Sequence, residues 1–275
     1  MVNTDTPFII KVDDISFDYG NSVNALQDIS LEIKQGEQVA LVGHNGSGKS
    51  TLAKHLNGLL KQTSGSVLIN GESTEIKRTA QLAGTVALLF QNPDDQICKR
   101  TVRDEVAFGP RNLGYSKDRI QELVYNALSD FDLLSFEEFN PHDLGYSQRK
   151  RLALASVCAM DTPVIIMDEP TAGLDPHEVS ILKSVMDKLK AMDRTVIVIS
   201  HDMDFLAETA ARAVCLNEGK KIYDGCILDF FSRQTMLEDC GLLCPQIARL
   251  CAYFNLRPQR YTPDDFITEL EKTRR

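Results

Sequence analysis

The first part of the chain alternates between hydrophobic and polar positions in the way that is typical of β-strands. Successive side chains of a strand point to opposite faces of a sheet, so this alternation predicts strands that bury one face. A strand pair, Ser66–Ile69 and Thr85–Phe90, is predicted before a turn at 91–96, and short apolar runs later in the chain predict buried strands. The other predicted strands are Ile9–Tyr19, Ile29–Ile33, Gln38–Val42, Val164–Met167, Thr195–Ile199 and Ala213–Leu216.

Helical patterns separate these strands. The predicted helices are Lys49–Leu60, Lys117–Phe131 and Pro176–Met192, with a fourth that opens near Ser147. Strands that alternate with helices indicate an α/β fold with a parallel sheet, which a helical segment at about 92–160 interrupts. After Gly225 the pattern is mostly helical, so we expect a main domain over 1–225 and a helical extension over 226–275.

Composition and charge restrict the function classes. The 275 residues are 43% hydrophobic and 25% charged, which is ordinary for a globular protein. The formal net charge of −9 argues against a main role in gripping nucleic acid, which requires basic surface. No apolar run approaches the ~18 residues of a membrane helix, and the N-terminal residues lack the segments of a signal peptide. We therefore expect a cytosolic location.

The cysteines predict packing rather than chemistry. Seven of them, an odd number, are scattered over the chain and do not form a disulfide framework. Cys240, Cys244 and Cys251 fall along one face of a predicted helix without a nearby histidine. We expect buried small hydrophobic residues here rather than metal ligands.

A glycine-rich stretch, GHNGSGKS at Gly43–Ser50, matches the phosphate-loop pattern G-x-x-x-x-G-K-[ST]. It lies between a predicted strand and a predicted helix, where backbone N–H groups wrap phosphates and the helix N-terminus favours negative charge. In such a loop Lys49 reaches the β- and γ-phosphates and Ser50 holds Mg²⁺; the alternative is a chance glycine turn. The expected ATP-binding residues are Gly43, His44 (through its backbone only), Asn45, Gly46, Ser47, Gly48, Lys49, Ser50 and Thr51.

Two adjacent acids end a buried apolar strand in VIIMDEP, Val164–Pro170. Because successive strand residues face opposite ways, we expect different roles for them: Asp168 reaches Mg²⁺, often through water, and Glu169 orients and deprotonates an attacking water. A pair of solvated acids is the alternative. His201 directly follows another apolar strand, at the edge where open α/β sheets bind ligands.

These motifs together resemble the ATP-binding cassette (ABC) family over nearly the whole chain. The resemblance implies a P-loop NTPase fold with an N-terminal antiparallel β subdomain, a parallel-sheet core, a helical signature insertion and a short helical C-terminal extension. It identifies Gly43–Ser50 with Walker A, Gln91 with the Q-loop, Val164–Asp168 with Walker B, Glu169 with the catalytic glutamate, Gly173–Asp175 with the D-loop and His201 with the switch histidine. It also implies ATP and Mg²⁺ as cofactors, with the metal held by Ser50, Gln91 and Asp168.

Two residues keep a second interpretation. Tyr19 falls where the family stacks an aromatic ring on adenine, and a plain strand aromatic is the alternative. Asp175 precedes Pro176 and Glu178, which together make a helix start with an N-cap, a first-turn proline and a capping-box acid. Asp175 is therefore either a cap alone or a cap within a functional loop.

A narrower resemblance follows from LFQNPDDQI at 89–97, TVRDEVAFGPRNLG at 101–114 and MLEDCGLLCPQIARL at 236–250. These stretches are similar to the ATPase subunits of energy-coupling-factor importers, including the cobalt and nickel branch, although Asn-Pro-Asp favours a turn in any protein. The implied partners are a second ATPase subunit, identical or homologous, in a head-to-tail dimer, a transmembrane coupling protein and a membrane protein that captures the substrate. No nucleic-acid partner is implied. The implied location is peripheral, on the cytoplasmic face of the cell membrane.

The stretch HDLGYSQRKR at 142–151 occupies the place of the family signature LSGGQ, the helix N-terminus that one subunit presses onto the ATP of the other. Leu144 and Gln148 match the family, whereas Gly145, Tyr146 and Ser147 stand in place of serine, glycine and glycine. The backbone donors should survive. The serine hydroxyl, whose bond to a charged phosphate is worth ~1.5–3 kcal/mol, is missing from its usual place, and Ser147 is a partial substitute. We expect a weakened signature that still works.

The leading hypothesis is an importer ATPase that drives uptake of a vitamin or a cobalt or nickel ion. One alternative is a soluble cassette ATPase of translation or DNA repair, but such relatives usually carry two cassettes or a long coiled coil. Another is a partly degenerate regulatory subunit. The altered signature favours it, and the intact Lys49, Asp168, Glu169 and His201 disfavour it. The sequence specifies neither the substrate nor whether the dimer partner is an identical chain.

Overall fold

The computed structural model describes residues 8–20, 24–256 and 261–273. Their strands form one antiparallel and one mostly parallel sheet, as the α/β prediction requires. In chain order the strands are β1 (Ile10–Asp18), β2 (Asn24–Ile33), β3 (Gln38–Val42), β4 (Ser64–Ile69), β5 (Glu72–Ser73), β6 (Val86–Leu89), β7 (Val164–Asp168), β8 (Thr195–Ile199), β9 (Arg212–Asn217) and β10 (Lys220–Cys226).

The parallel sheet carries the site. Its strand order is β10-β9-β3-β8-β7-β6, and only β10 runs antiparallel to its neighbour. The strands β3, β7 and β8 are buried at every residue, as expected for parallel strands that are covered on both faces. The antiparallel sheet has the order β2-β1-β4-β5. Ligand loops in such folds follow the carboxyl ends of parallel strands, and the predicted motifs follow β3, β7 and β8.

Alternate residues of β3 supply two hydrophobic cores. Val39 and Leu41 belong to a core shared with the antiparallel sheet, whereas Ala40 and Val42 belong to a core shared with the helices. This division follows from the two-residue period of a strand. The strand from which the phosphate loop leaves is therefore packed into both hydrophobic cores.

Two sequence predictions need correction. Ser66–Ile69 and Thr85–Phe90 do not pair with each other, because β4 pairs with β1 and β6 pairs with β7. Both segments are short and apolar, so their composition does not determine their partners. The first helix also ends at Leu56 rather than Leu60, because Gly58 follows with a left-handed φ of 73° that terminates helices.

The helices of the described residues cover the parallel sheet and build an insertion between β6 and β7. They are α1 (Lys49–Leu56), α2 (Thr79–Leu82), α3 (Val102–Asn112), α4 (Lys117–Asp130), α5 (Tyr146–Cys158), α6 (Pro176–Ala191), α7 (Met203–Thr209), α8 (Ile227–Ser232), α9 (Gln234–Asp239), α10 (Gln246–Tyr253) and α11 (Pro263–Thr273). The sequence predicts this insertion as helical but does not single out α3, whose Pro110 interrupts the helical pattern.

The first C-terminal helices pack into the main core. Phe230 of α8 and Leu237 of α9 belong to the same buried cluster as Ala40 of the central strand. Cys240 is buried with its sulfur 3.7 Å from that of Cys215 in β9, in agreement with its prediction as a small hydrophobic residue. Among the residues that the structure describes, no helix is both long and apolar enough to cross a membrane.

Candidate functional site

The loop Gly43–Ser50 joins β3 to α1 and is shaped by neighbouring backbone. Gly43 has a φ of 145°, and a Cβ added there would lie 2.1 Å from the carbonyl oxygen of Leu216. Gly48 has a φ of 104°, and its Cβ would lie 2.6 Å from the carbonyl oxygen of Ala25. Only glycine fits at these two positions, because the loop passes so close to β9 and β2.

Lys49 lies buried across the loop. Its Nζ donates hydrogen bonds to the carbonyl oxygens of Gly43 at 2.8 Å and His44 at 2.9 Å. Burial lowers the pKa of the Lys49 ammonium, and the nearby Glu169 and Asp168 carboxylates oppose this shift. An ammonium held by neutral carbonyls is able to exchange them for the charged oxygens of a phosphate, which form stronger hydrogen bonds.

The two residues after Gly43 extend the site in ways that the sequence analysis missed. The His44 ring faces away from the nucleotide side, and its Nε2 lies 2.9 Å from Oδ1 of Asn217. Asn45 reaches across the site, with its Oδ1 2.9 Å from Nε2 of His201. The phosphate loop is therefore fastened to β9 through one side chain and to the end of β8 through the next.

Oxygen donors converge where α1 meets the end of β7. The Ser50 hydroxyl donates to Oδ2 of Asp168 at 2.7 Å, and Gln91 lines the same cavity. A hydroxyl, a carboxylate and an amide oxygen are ligands that suit Mg²⁺, which prefers hard oxygen donors in an octahedral shell that includes phosphate and water. The three residues that the sequence predicts as metal ligands thus line one cavity.

Glu169 lies beyond the end of β7 and has a left-handed φ of 49°. The change of backbone conformation, rather than strand alternation, therefore separates its side chain from that of Asp168. One carboxylate oxygen accepts from the Ser200 hydroxyl and from the His201 N–H, each at 3.3 Å, and the other lies 3.6 Å from His201 Nε2. Burial raises the pKa of the Glu169 carboxyl, and His201 opposes the shift. A carboxylate in this setting is a stronger base than an exposed one.

Tyr19 lies at the rim of the site. Its ring is about half exposed, packs edge-on against Phe17 with 4.9 Å between ring centroids, and its hydroxyl lies 3.1 Å from Oγ1 of Thr51. The exposed face of the ring is available for stacking on a flat ligand.

A cavity of about 580 Å³ brings most of the predicted residues together. Those that line it are Tyr19, Asn45, Gly46, Gly48, Lys49, Ser50, Thr51, Gln91, Asp168, Glu169 and His201. Gly43, His44 and Ser47 belong to the same loop but do not line the cavity. The predicted signature residues and Asp175 do not line the cavity.

The signature stretch forms a helix N-terminus on the surface. α5 begins at Tyr146, and the backbone N–H of Gly145 donates to Oε1 of Gln148 at 2.9 Å. Leu144 is buried, Gly145 is exposed and Ser147 is half-buried. First-turn N–H groups of a helix without acidic residues remain able to bind an anion.

Asp175 is the N-cap of α6, as both interpretations of this residue require. Its Oδ1 accepts from the N–H of Glu178 at 2.8 Å, and Glu178 Oε2 accepts from the N–H of Asp175 at 3.0 Å. These two bonds form a capping box at the start of α6. They also fix the end of the loop 170–175.

Three successive cations on α5 contact the loops around the site, and the sequence analysis missed their contacts. Arg149 Nε lies 2.9 Å from Asp94 Oδ1, and its Nη1 donates to the carbonyl of Leu144. Lys150 is fully buried and donates to the carbonyl of Gln91 at 2.8 Å; burial lowers its pKa to about 8. Arg151 forms a buried ion pair with Glu178 in the first turn of α6, 3.0 Å from Nε to Oε1. The signal in the sequence is the run Arg-Lys-Arg, which a solvated helix face also produces.

Comparison with known proteins identifies the family. Residues 26–172 match the family model described as ABC transporter. The energy-coupling factor transporter ATP-binding protein EcfA of Methanocaldococcus jannaschii is 38% identical over 250 residues, which cover 90% of this chain and 90% of that protein. An ATP-binding protein assigned to an ABC transporter of Caldanaerobacter subterraneus is 41% identical over 88% of this chain, but the chain spans only 42% of that relative's length.

A solved structure agrees with these sequence relatives. CbiO1 from Clostridium perfringens, described as part of the ABC transporter complex CbiONQ, is 32% identical with a TM-score of 0.75 over 90% of this chain and all of that one. The cavity between phosphate loop, β7 and β8 thus lies in the fold of a transporter ATPase. The chain belongs to the ABC transporter family, in the branch that includes the energy-coupling-factor ATPases, and is an ATP-hydrolysing enzyme.

Proposed function

We propose that the cavity binds ATP with Mg²⁺ and that one chain supplies only half of the working site. Lys49 binds the β- and γ-phosphates, Tyr19 stacks on the adenine, and the backbone of the loop from Gly43 to Thr51 surrounds the phosphates. Ser50, Gln91 and Asp168 hold the metal ion. Bound Mg²⁺ neutralises phosphate charge in such sites.

Glu169 acts as the general base, and His201 orients the reacting phosphate. The observation that carries this proposal is the position of Glu169 at the cavity wall, with its pKa raised by burial and His201 3.6 Å away. A raised pKa makes the carboxylate better able to take a proton from water near neutral pH. Asn45, whose amide oxygen lies 2.9 Å from His201 Nε2, holds that ring beside the phosphate loop.

The signature residues belong to a neighbouring chain's site. Gly145, Tyr146, Ser147 and Gln148 do not line the cavity of their own chain, yet they form an exposed helix N-terminus suited to an anion. A head-to-tail dimer would place this terminus, together with the loop that ends at Asp175, on the ATP of the partner. The partner is a second copy of this chain or a homologous ATPase.

The energy of ATP hydrolysis drives an importer for a vitamin or a transition-metal ion such as cobalt or nickel. The names of two relatives support this proposal, one an energy-coupling factor ATPase and the other part of a CbiONQ complex. A transmembrane coupling protein docks in the region 91–110, and another membrane protein captures the substrate. The ATPase domain is 1–225, and the helical extension 226–275 stabilises the dimer at the cytoplasmic face of the membrane.

Purification of the intact complex tests the importer proposal. An affinity-tagged chain is isolated from detergent-solubilised membranes of its own host, and its partners are identified by mass spectrometry, with the soluble fraction as the control. We expect a membrane-spanning coupling protein and either this ATPase alone or a second one. Recovery only from the soluble fraction, with translation or repair factors, would contradict the proposal.

An uptake assay then identifies the substrate class. Cells that lack the gene are complemented with the parent or with Glu169→Gln, and uptake of labelled cobalt, nickel and vitamins is compared. The proposal predicts that the parent restores uptake of one of them and that Glu169→Gln does not. Equal uptake with both would separate transport from ATP hydrolysis by this chain.

A further inference from the structure

The side chain of Tyr146 rests on the backbone of Gly173 in the same chain. A Cβ added to Gly173 would lie 2.4 Å from Cε1 and 2.7 Å from Cδ1 of the Tyr146 ring. Gly173 also has a left-handed φ of 80°, so both its conformation and its contact require glycine. The ring of Tyr146 remains 45% exposed, which leaves its other side accessible to a partner.

Gly173 lies in the middle of a turn whose two ends are fixed. At one end, the N–H of Glu169 donates to the carbonyl of Ile199 at 2.7 Å, and the carbonyl of Glu169 accepts from Ala172 at 3.3 Å. At the other end, the capping box of Asp175 anchors the turn to α6. Because both ends of this turn are held, we expect a displacement of Gly173 to move Glu169, which lies four residues away.

A second contact holds α5 against the same segment. Both side chains of the ion pair between Arg151 and Glu178 are buried, with 3.0 Å between Nε and Oε1. Glu178 also accepts a hydrogen bond from the N–H of Asp175, as part of the capping box. The start of α5 therefore meets the turn at two points, one ionic and one steric. The ion pair holds α5 at Arg151. A shift of Tyr146, at the start of the helix, therefore changes mainly the contact of its ring with Gly173.

We propose that Tyr146 is a positioning residue: through Gly173 it sets the turn that carries Glu169. This inference rests on the dimer proposed above, in which the N-terminus of α5 meets the partner's ATP. In that dimer, the signature that binds one nucleotide also adjusts the general base for the other. The tyrosine is then a link between the two sites rather than a lost glycine.

A double-mutant cycle on the dimeric ATPase tests the link. In Gly173→Ala, the new Cβ collides with the ring, and we expect kcat to fall by up to the ~10²-fold that follows a misplacement of about 1 Å, with an unchanged Kd for a fluorescent ATP analogue. Tyr146→Gly should lower kcat several-fold, and Tyr146→Phe, which keeps the ring on Gly173, should lose much less. The double variant Tyr146→Gly/Gly173→Ala should lose much less than the product of the two single losses.

Gly114→Ala is the matched control. Gly114 has nearly the same φ, 78°, but no atom lies within 4 Å of an added Cβ, so this variant carries the backbone strain without the collision and should keep the parent kcat. Losses that multiply in the cycle would overturn the inference, and so would a Tyr146→Phe variant as slow as Tyr146→Gly. If Gly173→Ala does not fold, the comparison of Tyr146→Ala with Tyr146→Phe carries the test, with a slow Ala variant expected and equal rates contradicting it.

A separate measurement distinguishes failure of this inference from failure of the dimer. The Glu169→Gln protein should dimerise when ATP is added, which size-exclusion chromatography detects. If it stays monomeric both alone and with the second ATPase of its complex, the proposed dimer is wrong; if it dimerises while the cycle is multiplicative, only the role of Tyr146 is wrong.

Discussion

The phosphate loop and the signature stretch both face ATP in the proposed dimer, but different forces determine them. A Cβ at Gly43 or Gly48 would collide with a neighbouring carbonyl oxygen at 2.1 or 2.6 Å. At Gly145 the nearest atom to an added Cβ is the end of the Gln148 side chain, at 3.5 Å. The strands packed around the loop therefore exclude a side chain at Gly43 and Gly48, whereas Gly145 has space for one.

The two regions also use different chemical groups. The loop side depends on named side chains, a buried Lys49 opposite Asp168 and Glu169, and the loss of any one removes its charge from the site. The signature side depends on backbone N–H groups at the start of α5, which any residue except proline provides. This explains how Gly145, Tyr146 and Ser147 can depart from the family pattern while a helix still begins at Tyr146.

The largest expected effect is on the loop side. Glu169→Gln keeps the size and the hydrogen-bonding capacity of the side chain but removes the base, so we expect turnover to fall by ~10²–10⁴-fold with ATP binding intact. Steady-state hydrolysis by the purified complex and equilibrium binding of ATP check this. Near-normal hydrolysis would remove Glu169 from the role of general base.

The signature should respond less, and in the opposite direction. Gly145→Ser with Ser147→Gly restores the family residues, and Gly145 has space for a serine. A hydroxyl bonded to a charged phosphate is worth ~1.5–3 kcal/mol, so hydrolysis by a homodimer should become faster by at most ~10–100-fold. In a heterodimer whose other site sets the rate, little change is expected.

The single variants separate the two contributions to this change. Gly145→Ser alone should give most of the acceleration, and Ser147→Gly alone should slow the enzyme if Ser147 now supplies the hydroxyl. A double variant slower than the parent would show that both residues are tuned parts of the site, contrary to our expectation of a weakened signature.

Lys150, the buried lysine of the signature stretch, predicts a dependence of stability on pH. Its pKa is about 8 in the folded protein, against an ordinary value of 10.5. Below pH 8 lysine is protonated in both states, and the cost of burying the ammonium is fully present. Between pH 8 and 10.5 the unfolded chain binds more protons, so the parent should gain stability over Lys150→Met by up to ~1.4 kcal/mol per pH unit.

Urea denaturation of both proteins at pH 7, 8.5 and 9.5 measures this difference. Lys117→Met removes an exposed ammonium from α4 and controls for the change in net charge. If the free energy of unfolding changed with pH by the same amount in the parent and in Lys150→Met, Lys150 would keep its proton through this range.

The smallest effect is expected where the signature stretch meets the segment 91–96 at the surface. Asp94 pairs with Arg149 while nearly half exposed, and such pairs contribute ~0.2–1 kcal/mol. Asp94→Asn with Asp95→Asn should weaken assembly with the membrane partner, which co-purification at increasing salt measures. Asp95→Asn alone is the control, because it leaves the Arg149 pair intact. Normal assembly and transport by the double variant would exclude these two acids from the docking groove.

The sequence predicts the features that depend on neighbouring residues. Gly43–Ser50, Val164–Asp168 and His201 each combine a strand end with a polar motif a few residues long, and the structure brings them to one cavity. The partner strands of β4 and of β6 were not predictable in this way. Strand partners are chosen across the whole chain, and two short apolar strands look alike.

Contacts between distant residues also escaped prediction. His44 meets Asn217 across 173 positions, and Lys150 meets Gln91 across 59. In the sequence each is a lone polar residue or part of a charge run, for which an exposed position is the commoner outcome. The role of Glu169 comes from the resemblance, but its left-handed φ is a property of the turn and not of strand alternation.

The order of strands in the parallel sheet has a consequence for synthesis of the chain. The central strand β3 is made early, but its partners β8 and β9 begin only at Thr195 and Arg212. At 5–20 residues per second, an apolar strand that is buried at every position in the finished protein waits roughly 8–30 s for its first neighbour. During that time the antiparallel sheet can already form, since β1, β2 and β4 lie within the first 69 residues. The edges of β3 therefore stay unpaired for more than half of translation, and we expect chaperones to raise the yield of folded protein.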